Sequence, residues 1–404
     1  MKKIFILFLS ISCILQIHAQ EDPNNLGQFT TGDHLNTITT AVPFLLISPD
    51  SKAGAMGDVG VATSPDANSM HWNPAKMSFA EDDIGVAVSI VPWLRELVPD
   101  INLQYIGGYY KLNRNEAIGF ELRYFSLGNI TFTDNSGNII GQYNPNEMAF
   151  GSAYSRKLSD KLSIAISGRY IYSNLTGGQA AGGTETVAGK SIAADISSYY
   201  QTPIRIAKRD GQLAIGMNIS NIGNKISYTE TVVRDFIPIN LRLGTSISSE
   251  LDDYNKISFA FDINKLLVPT PPLYDENGEI LSGKDPEVGV VTGMFQSFGD
   301  APGQIDKDGV IVSGSRFKEE MREINISTGM EYWYANQFAL RAGYFFEHDT
   351  KGGRQYLTFG SGVKYNVFAL DFSYLISTSN IGGTNPLANT MRFTLVFDLG
   401  AMGS

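Results

Sequence analysis

From Phe368 to Ser377 the chain alternates residue by residue. Phe368, Leu370, Phe372, Tyr374 and Ile376 fall on one face of an extended segment, and Ala369, Asp371, Ser373, Leu375 and Ser377 fall on the other. A period of two marks a strand whose faces meet different surroundings. The last such segment repeats it, setting Met391, Phe393, Leu395, Phe397 and Leu399 against Arg392, Thr394, Val396 and Asp398. Fourteen strands are expected on this basis, near residues 84–91, 101–111, 116–126, 147–157, 161–173, 190–204, 211–220, 238–249, 255–264, 324–333, 337–346, 355–365, 367–377 and 390–399.

The connections constrain the fold further. The second, fourth, sixth, eighth, tenth and twelfth are short: LNRNE, KLSD, IAKRDG, LDDYN, YAN and about one residue at Asn366. The odd ones are longer and include 127–146, 174–189, 221–237, 265–323 and 378–389. Bacterial outer-membrane barrels have an even strand count, short periplasmic turns and longer external loops. After the first twenty residues no apolar run approaches the ~20 residues of a membrane helix, so a spanning chain must close into a barrel. The faces opposite the apolar ones carry Glu121, Arg123, Arg169, Arg242, Asp262, Arg341, Asp371, Arg392 and Asp398. A wet lumen accommodates them as cross-strand pairs. A secreted β-sandwich or a propeller also alternates, but the loop alternation and the export signal favour an all-β, 14-stranded antiparallel transmembrane β-barrel.

Lys2 and Lys3, an apolar run from Ile4 to Leu15 and Ala19 before Gln20 have the layout of a signal peptide over residues 1–19. Cys13 is the single cysteine, and Ser10 stands where a lipid-attachment motif carries Leu or Val. The mature chain is therefore expected to hold no disulfide and no thiol nucleophile. His34, His71 and His348 lie far apart in sequence, so neither a histidine triad, a metal cluster nor a cofactor is expected. The net charge of −10 opposes nucleic-acid binding. TDNSGNI, DENGEI and DKDGVI lack the spacing and terminal glutamate of a calcium loop and read as Asp-x-x-Gly turns.

Residues 20–83 do not alternate. They contain SKAGAMGDVGVATSPDANSMHWNPA, Ser51 to Ala75, in which Gly54, Gly57 and Gly60 permit close backbone approach and Asn73 before Pro74 favours an extended turn. The stretch lacks the lysine of a phosphate loop and follows no clear strand. Its AGAMGDVGVAT, the Asp66-Ala67-Asn68 step and Trp72-Asn73-Pro74-Ala75, followed by the fourteen-strand pattern, resemble the PorV group of the wider FadL-like family of outer-membrane proteins. The resemblance covers essentially the whole mature chain. It implies a plug or hatch over residues 20–83, with Asn73 and Pro74 in a structural or gating role, and a barrel over residues 84–404. It also implies a non-enzymatic component of the type IX secretion system that binds secreted substrates by their C-terminal signal domains. The implied partners are a type IX translocon barrel (SprA/Sov-like), those substrates, a surface attachment complex (PorU-like) and outer-membrane lipid. The wider family leaves an alternative, a channel for hydrophobic small molecules. An acyl hydrolase would need a positioned Ser and His.

The connection 265–323 is long enough to expect a function. Three prolines stiffen LLVPTPPLY, and two sets recur at helical spacing, Val291, Phe295 and Phe298 and then Phe317, Met321 and Ile324. A docking face for a protein partner is expected from Leu267, Tyr274, Val291, Phe295, Phe298 and Phe317, joined by Trp93 and Leu94 beside Pro92 and Leu97 of the first loop. Packing of the same residues onto the barrel mouth as a cap is the competing reading.

Overall fold

A strand in lipid leaves no backbone group unpaired, so fourteen alternating segments have to close on themselves. The computed structural model describes residues 35–94, 100–133, 139–178, 186–229, 234–275, 277–306, 310–379 and 389–400, and its compact unit begins at Asn36. The expected signal peptide, His34 and Leu97 lie outside the described residues.

The strands are β1 (Ile84–Pro92), β2 (Ile101–Asn113), β3 (Glu116–Leu127), the hairpin β4 (Ile130–Thr133) and β5 (Ile139–Tyr143), β6 (Asn146–Lys157), β7 (Leu162–Asn174), β8 (Gly189–Ile206), β9 (Arg209–Gly223), β10 (Asn240–Glu250) and β11 (Asn255–Leu266). A second hairpin, β12 (Leu273–Tyr274) and β13 (Ile280–Ser282), precedes β14 (Asn325–Tyr334), β15 (Phe338–Phe346), β16 (Gln355–Tyr365), β17 (Phe368–Ser377) and β18 (Met391–Leu399). All except the two hairpins form one closed antiparallel barrel of fourteen strands in sequential order, sealed where β1 pairs with β18 from Ile84↔Leu399 to Ile90↔Phe393. Every expected segment is a strand, its ends displaced by three residues at most. Lengthening of β8 and β9 toward each other shortens the expected IAKRDG connection to Ala207 and Lys208, both left-handed (φ 50° and 70°). This two-residue hairpin lacks the Asn-Gly or Asp-Gly signature by which such turns are read.

The outward rows are apolar and exposed, as at Phe150, Ile166, Ile192 and Leu370. Outward tyrosines mark both rims, Tyr124 and Tyr170 toward the long loops and Tyr110, Tyr154, Tyr334 and Tyr365 toward the short turns, the girdle arrangement of a membrane barrel.

The interior corrects one expectation. The lumen is filled rather than wet: Glu121, Arg123, Arg169, Arg242, Asp262, Arg341, Asp371 and Arg392 are all buried. The chain before β1 occupies the barrel with four short helical turns, a 3₁₀ turn at Pro43–Leu46, α1 (Ser51–Gly54), α2 (Ser69–Trp72) and a 3₁₀ turn at Pro74–Phe79. Asp398, nearer the short-turn end, is only half-buried and meets Lys364 at 2.9 Å.

Candidate functional site

Part of the lumenal charge satisfies plug backbone that strands alone cannot reach, and the rest pairs between strands. Asp262 of β11 accepts the N–H groups of Gly60 and Val61 at 2.8 and 3.0 Å. Arg123 of β3 donates to the Leu45 carbonyl at 2.8 Å. The Asn73 side chain donates to the carbonyls of Val61 and Ser198, both at 2.9 Å, and caps the following turn by accepting from Ala75 N at 3.0 Å. Pro74 opens that turn, where its missing N–H costs nothing. The plug also braces itself: Asp50 caps α1 through Ala53 N and accepts from the Trp72 indole at 2.6 Å. Between strands, Arg169 pairs with Glu121 at 2.6 Å and Asp195 at 3.0 Å, and Arg341 with Glu331 at 2.7 Å and Asp371 at 2.5 Å.

The three motif glycines each lie where a Cβ has no room. At Gly54 it would strike the Arg392 guanidinium, at Gly57 (φ 71°) the Tyr344 backbone, and at Gly60 the Trp72 ring. Gly54 and Gly57 let the plug pack closely on the wall, and Gly60 lets it pack on itself.

Above the plug, the long-loop end of the barrel has its own apolar core. Phe44 and Leu45 pack there with Leu103, Phe125, Ile237, Leu267 and Val268. This relocates part of the expected docking face: Leu267 is buried, and Trp93 and Leu94 turn inward onto the same core. Burying Leu267 after Leu266 lets the chain turn over the mouth. Trp93 and Leu94 help line a cavity of about 560 Å³, within the range of ligand sites. Its walls include Ile38, Phe44, Phe125 and Leu375, and its polar floor includes Asp58, Tyr356 and Arg392. Arg392 and Asp58 lie 3.2 Å apart, and the Tyr356 hydroxyl donates to Asp58 at 2.5 Å.

The remaining expected residues stay outside. In the connection from β11 to β14, α3 (Val290–Gln296) and α4 (Ser315–Arg322) form at the two places where the spacing is helical. Phe295 is 76% exposed, Phe317 70% and Val291 64%, and Tyr274, Phe298 and Met321 are exposed with them. The two undersides differ: α3 sets Val290 and Met294 against the mouth core, whereas the underside of α4 is polar. Glu319 and Glu320 of α4 and Glu323 at its C-cap turn inward and meet two cations from the barrel rim, Lys351 at 2.7 Å (Glu319) and 3.1 Å (Glu323), and Lys265 at 2.6 Å (Glu323) and 3.4 Å (Glu320). All five are buried. Thr270 Oγ1 donates to Glu323 at 2.8 Å, and Asn36 of the plug segment donates to Glu319 at 2.9 Å. The loop is thus a cap fastened by charge, with an apolar outer face.

Asp300 adds a pH dependence to this fastening. Its carboxylate accepts from Thr270 N at 3.1 Å, and burial pushes its pKa up to about 6. A carboxyl raised above its unfolded value of about 3.9 stabilises the cap fully only below that value, and the contribution is lost as pH rises through about 6. Backbone hydrogen exchange around Thr270, corrected for intrinsic rates, should be slower at pH 5 than at pH 8, corresponding to roughly 1–2 kcal/mol. Asp300→Asn should abolish the difference.

His71 lies in the plug, buried against Arg123 and edge-on to the Trp72 ring at 4.5 Å. His348 caps a 3₁₀ turn at Asp349–Lys351 by accepting from Thr350 N. Among the described residues no group of three His, Cys, Asp or Glu converges to hold a metal ion.

With this geometry in view, a family model described as "Type IX secretion system protein PorV" matches residues 30–273, more than half of the chain. The chain belongs to the PorV family. It is accordingly an outer-membrane β-barrel of the type IX secretion system. The PorV match takes in the plug and β1 to β11 and ends at the start of the cap, before α3 and α4. No curated protein sequence matches the chain. Among solved structures it is similar to the CymD monoaromatic hydrocarbon channel (12% identity, 89% of this chain and 99% of that one, TM-score 0.48). It is also similar to the toluene transporters TbuX of Ralstonia pickettii (10%, 86% and 97%, 0.45) and TodX of Pseudomonas putida (12%, 85% and 95%, 0.45).

Lys265, Lys351 and the three glutamates were not among the expected site residues. EExxE in SRFKEEMREI carries the only signal, since it puts Glu319 and Glu323 on one helical side.

Proposed function

We propose that the protein is a non-enzymatic docking component of the secretion system. It receives secreted substrates by their C-terminal domains at the translocon barrel and hands them to the surface attachment complex. The observation that supports this is the cap's outer face: α3 and α4 turn large apolar side chains to the outside, while apolar packing of Val290 and Met294 holds α3 from below and buried ion pairs hold α4. An exposed apolar face on a stiff support loses little ordering entropy when a protein covers it. Val291, Phe295, Phe298, Phe317 and Tyr274 form the contact in this proposal, and Trp93, Leu94 and Leu267 support it from beneath. Phe295→Ser combined with Phe298→Ser should weaken binding of a substrate's isolated C-terminal domain about thirtyfold, the equivalent of one strong interface anchor of roughly 2 kcal/mol. Because both rings are exposed, the melting temperature should not move. Unchanged affinity would remove this face from the proposal.

A second reading, a channel for hydrophobic small molecules, is favoured by the apolar cavity of about 560 Å³ at the mouth. Conduction then requires the plug to move, because the Asn73, Asp262 and Arg123 hydrogen bonds fasten it to the strands below that cavity. Uptake of a small aromatic hydrocarbon into proteoliposomes discriminates between the two.

A further inference from the structure

On the outer wall at the long-loop end, beside β8 and the chain following β9, lies a second cavity of about 580 Å³ lined by Lys190, Asn224, Lys225, Ser227 and Arg234, with Val288 to Val290 of the cap along one edge. Three cations line it and no carboxylate does. Among the described residues none of the three forms an ion pair. Lys225 instead stands 4.1 Å from the Phe236 ring centroid. Clustered like charges repel unless an anion joins them, so a site of this make-up is electrostatically incomplete.

Its position narrows the anion. Lys190 belongs to the outward row of β8, which continues down the barrel through Ile192 and Ile196, 65% and 51% exposed. On β7 the residues paired with Lys190 and Ile192 are Tyr172 and Tyr170, and Tyr170 belongs to the rim of outward tyrosines. The cations therefore stand at the headgroup level of the outer leaflet, directly above an isoleucine wall that acyl chains can cover. Asn224 adds a neutral hydrogen-bonding side chain of the kind that completes phosphate coordination.

We infer that this cavity binds the phosphate of an outer-leaflet lipid, the acyl chains lying along Ile192 and Ile196. It is separate from the cap's docking face and from the mouth cavity, and it stands whether or not the docking reading holds. It anchors the β8–β9 side of the barrel, and with it the edge of the cap at Val288, to the membrane surface.

The test uses the full chain in phosphatidylcholine nanodiscs doped with lipid A, with dephosphorylated lipid A, or with neither, followed by re-isolation and measurement of lipid retained per protein. Retention of lipid A but not of its dephosphorylated form is expected. Lys190→Gln with Lys225→Gln and Arg234→Gln should lower it about tenfold, in line with the loss of charge-assisted hydrogen bonds. Lys161→Gln with Arg209→Gln, at the opposite rim, should leave it unchanged. All variants should keep the heat-modifiable mobility of a closed barrel. Millimolar inorganic phosphate should fail to displace the lipid. Equal retention of both lipids, no effect of the triple substitution in a folded barrel, or full displacement by inorganic phosphate would each overturn the inference, the last by reducing the site to one for free anions.

Discussion

Gly343→Leu should release the plug while the barrel stays closed. Gly343 of β15 lies against the plug where a Cβ would meet the Met56 carbonyl carbon, the Gly57 nitrogen and the Met56 Cα. Those are main-chain atoms, which cannot rotate aside as a side chain can. Its cross-strand partner Gly329 on β14 meets Met56 in the same way, and Gly360 on β16 meets Ala55. Three adjacent strands thus present a bare patch on which residues 55–57 rest. Gly57 is held there with φ 71° and an N–H bond of 2.8 Å to Thr358 Oγ1. Overfilling a packed site ordinarily costs about 1–3 kcal/mol, and an isobutyl group against fixed backbone belongs at or above the top of that range. The barrel ladder does not depend on the plug for its hydrogen bonds, so mobility on unheated gels should remain that of a folded barrel. Protease cleavage within residues 36–83 should rise at least tenfold, and ion conductance should appear in planar bilayers. Gly168→Ala, where a Cβ meets nothing within 4 Å, is the neutral control. A plug as protected as in the parent chain would show that the glycine patch does not seat it.

How much of this could be read beforehand differs by region. The fourteen strands were legible because lipid on one side and polar packing on the other impose the period of two, and that requirement acts on each strand alone. The Ser51 to Ala75 glycines were legible as positions of close approach, but not what they approach, since Tyr344 and Arg392 come near only when the barrel closes and Trp72 only when the plug folds back on itself. The lumenal charges were legible and their surroundings were not. Glu121 and Arg169 look the same in sequence whether they face water or a plug; they pair with each other, with Arg123 and with Asp195 on the barrel wall, and the filling of the lumen by residues 36–83 is what buries them. The cap shows a different failure. Helical spacing placed α3 and α4 correctly, and the exposure expected for Phe295 and Phe317 is observed. Periodicity, however, says that a helix has two faces and not which one is buried. At α4 the charged face is the buried one, because Lys265 at the end of β11 and Lys351 before β16 wait beneath it, one about 55 residues away in sequence and the other about 30. Leu267, Trp93 and Leu94 lie in apolar loop stretches with no periodicity to orient them, and they pack in the mouth core, as the competing reading of a cap on the barrel mouth has it.

That inversion leads to the second large effect. Lys265→Met with Lys351→Met should detach the cap. The two ammonium groups are the cations that balance Glu319, Glu320 and Glu323, and Lys351 and Glu323 are almost entirely buried, with side-chain exposures of 4% and 1%. Removing one side of a buried pair costs about 3–5 kcal/mol, because the remaining charge is left uncompensated. The cap's alternative is to lift into water, where the carboxylates are solvated. Hydrogen exchange in residues 290–322 should therefore accelerate a hundredfold or more, the equivalent of about 3 kcal/mol, with strands β14 to β18 unchanged. Adding Glu319→Gln and Glu323→Gln to the double lysine variant should restore much of the protection, since a neutral underside has no stranded charge. The pairing with function is specific. Phe295→Ser with Phe298→Ser should lose the substrate domain and keep slow exchange, whereas the lysine variant should lose both. If the lysine variant exchanged fast and still bound the domain at full affinity, a rigid support would be unnecessary, and docking would have to proceed by folding of the loop on its partner.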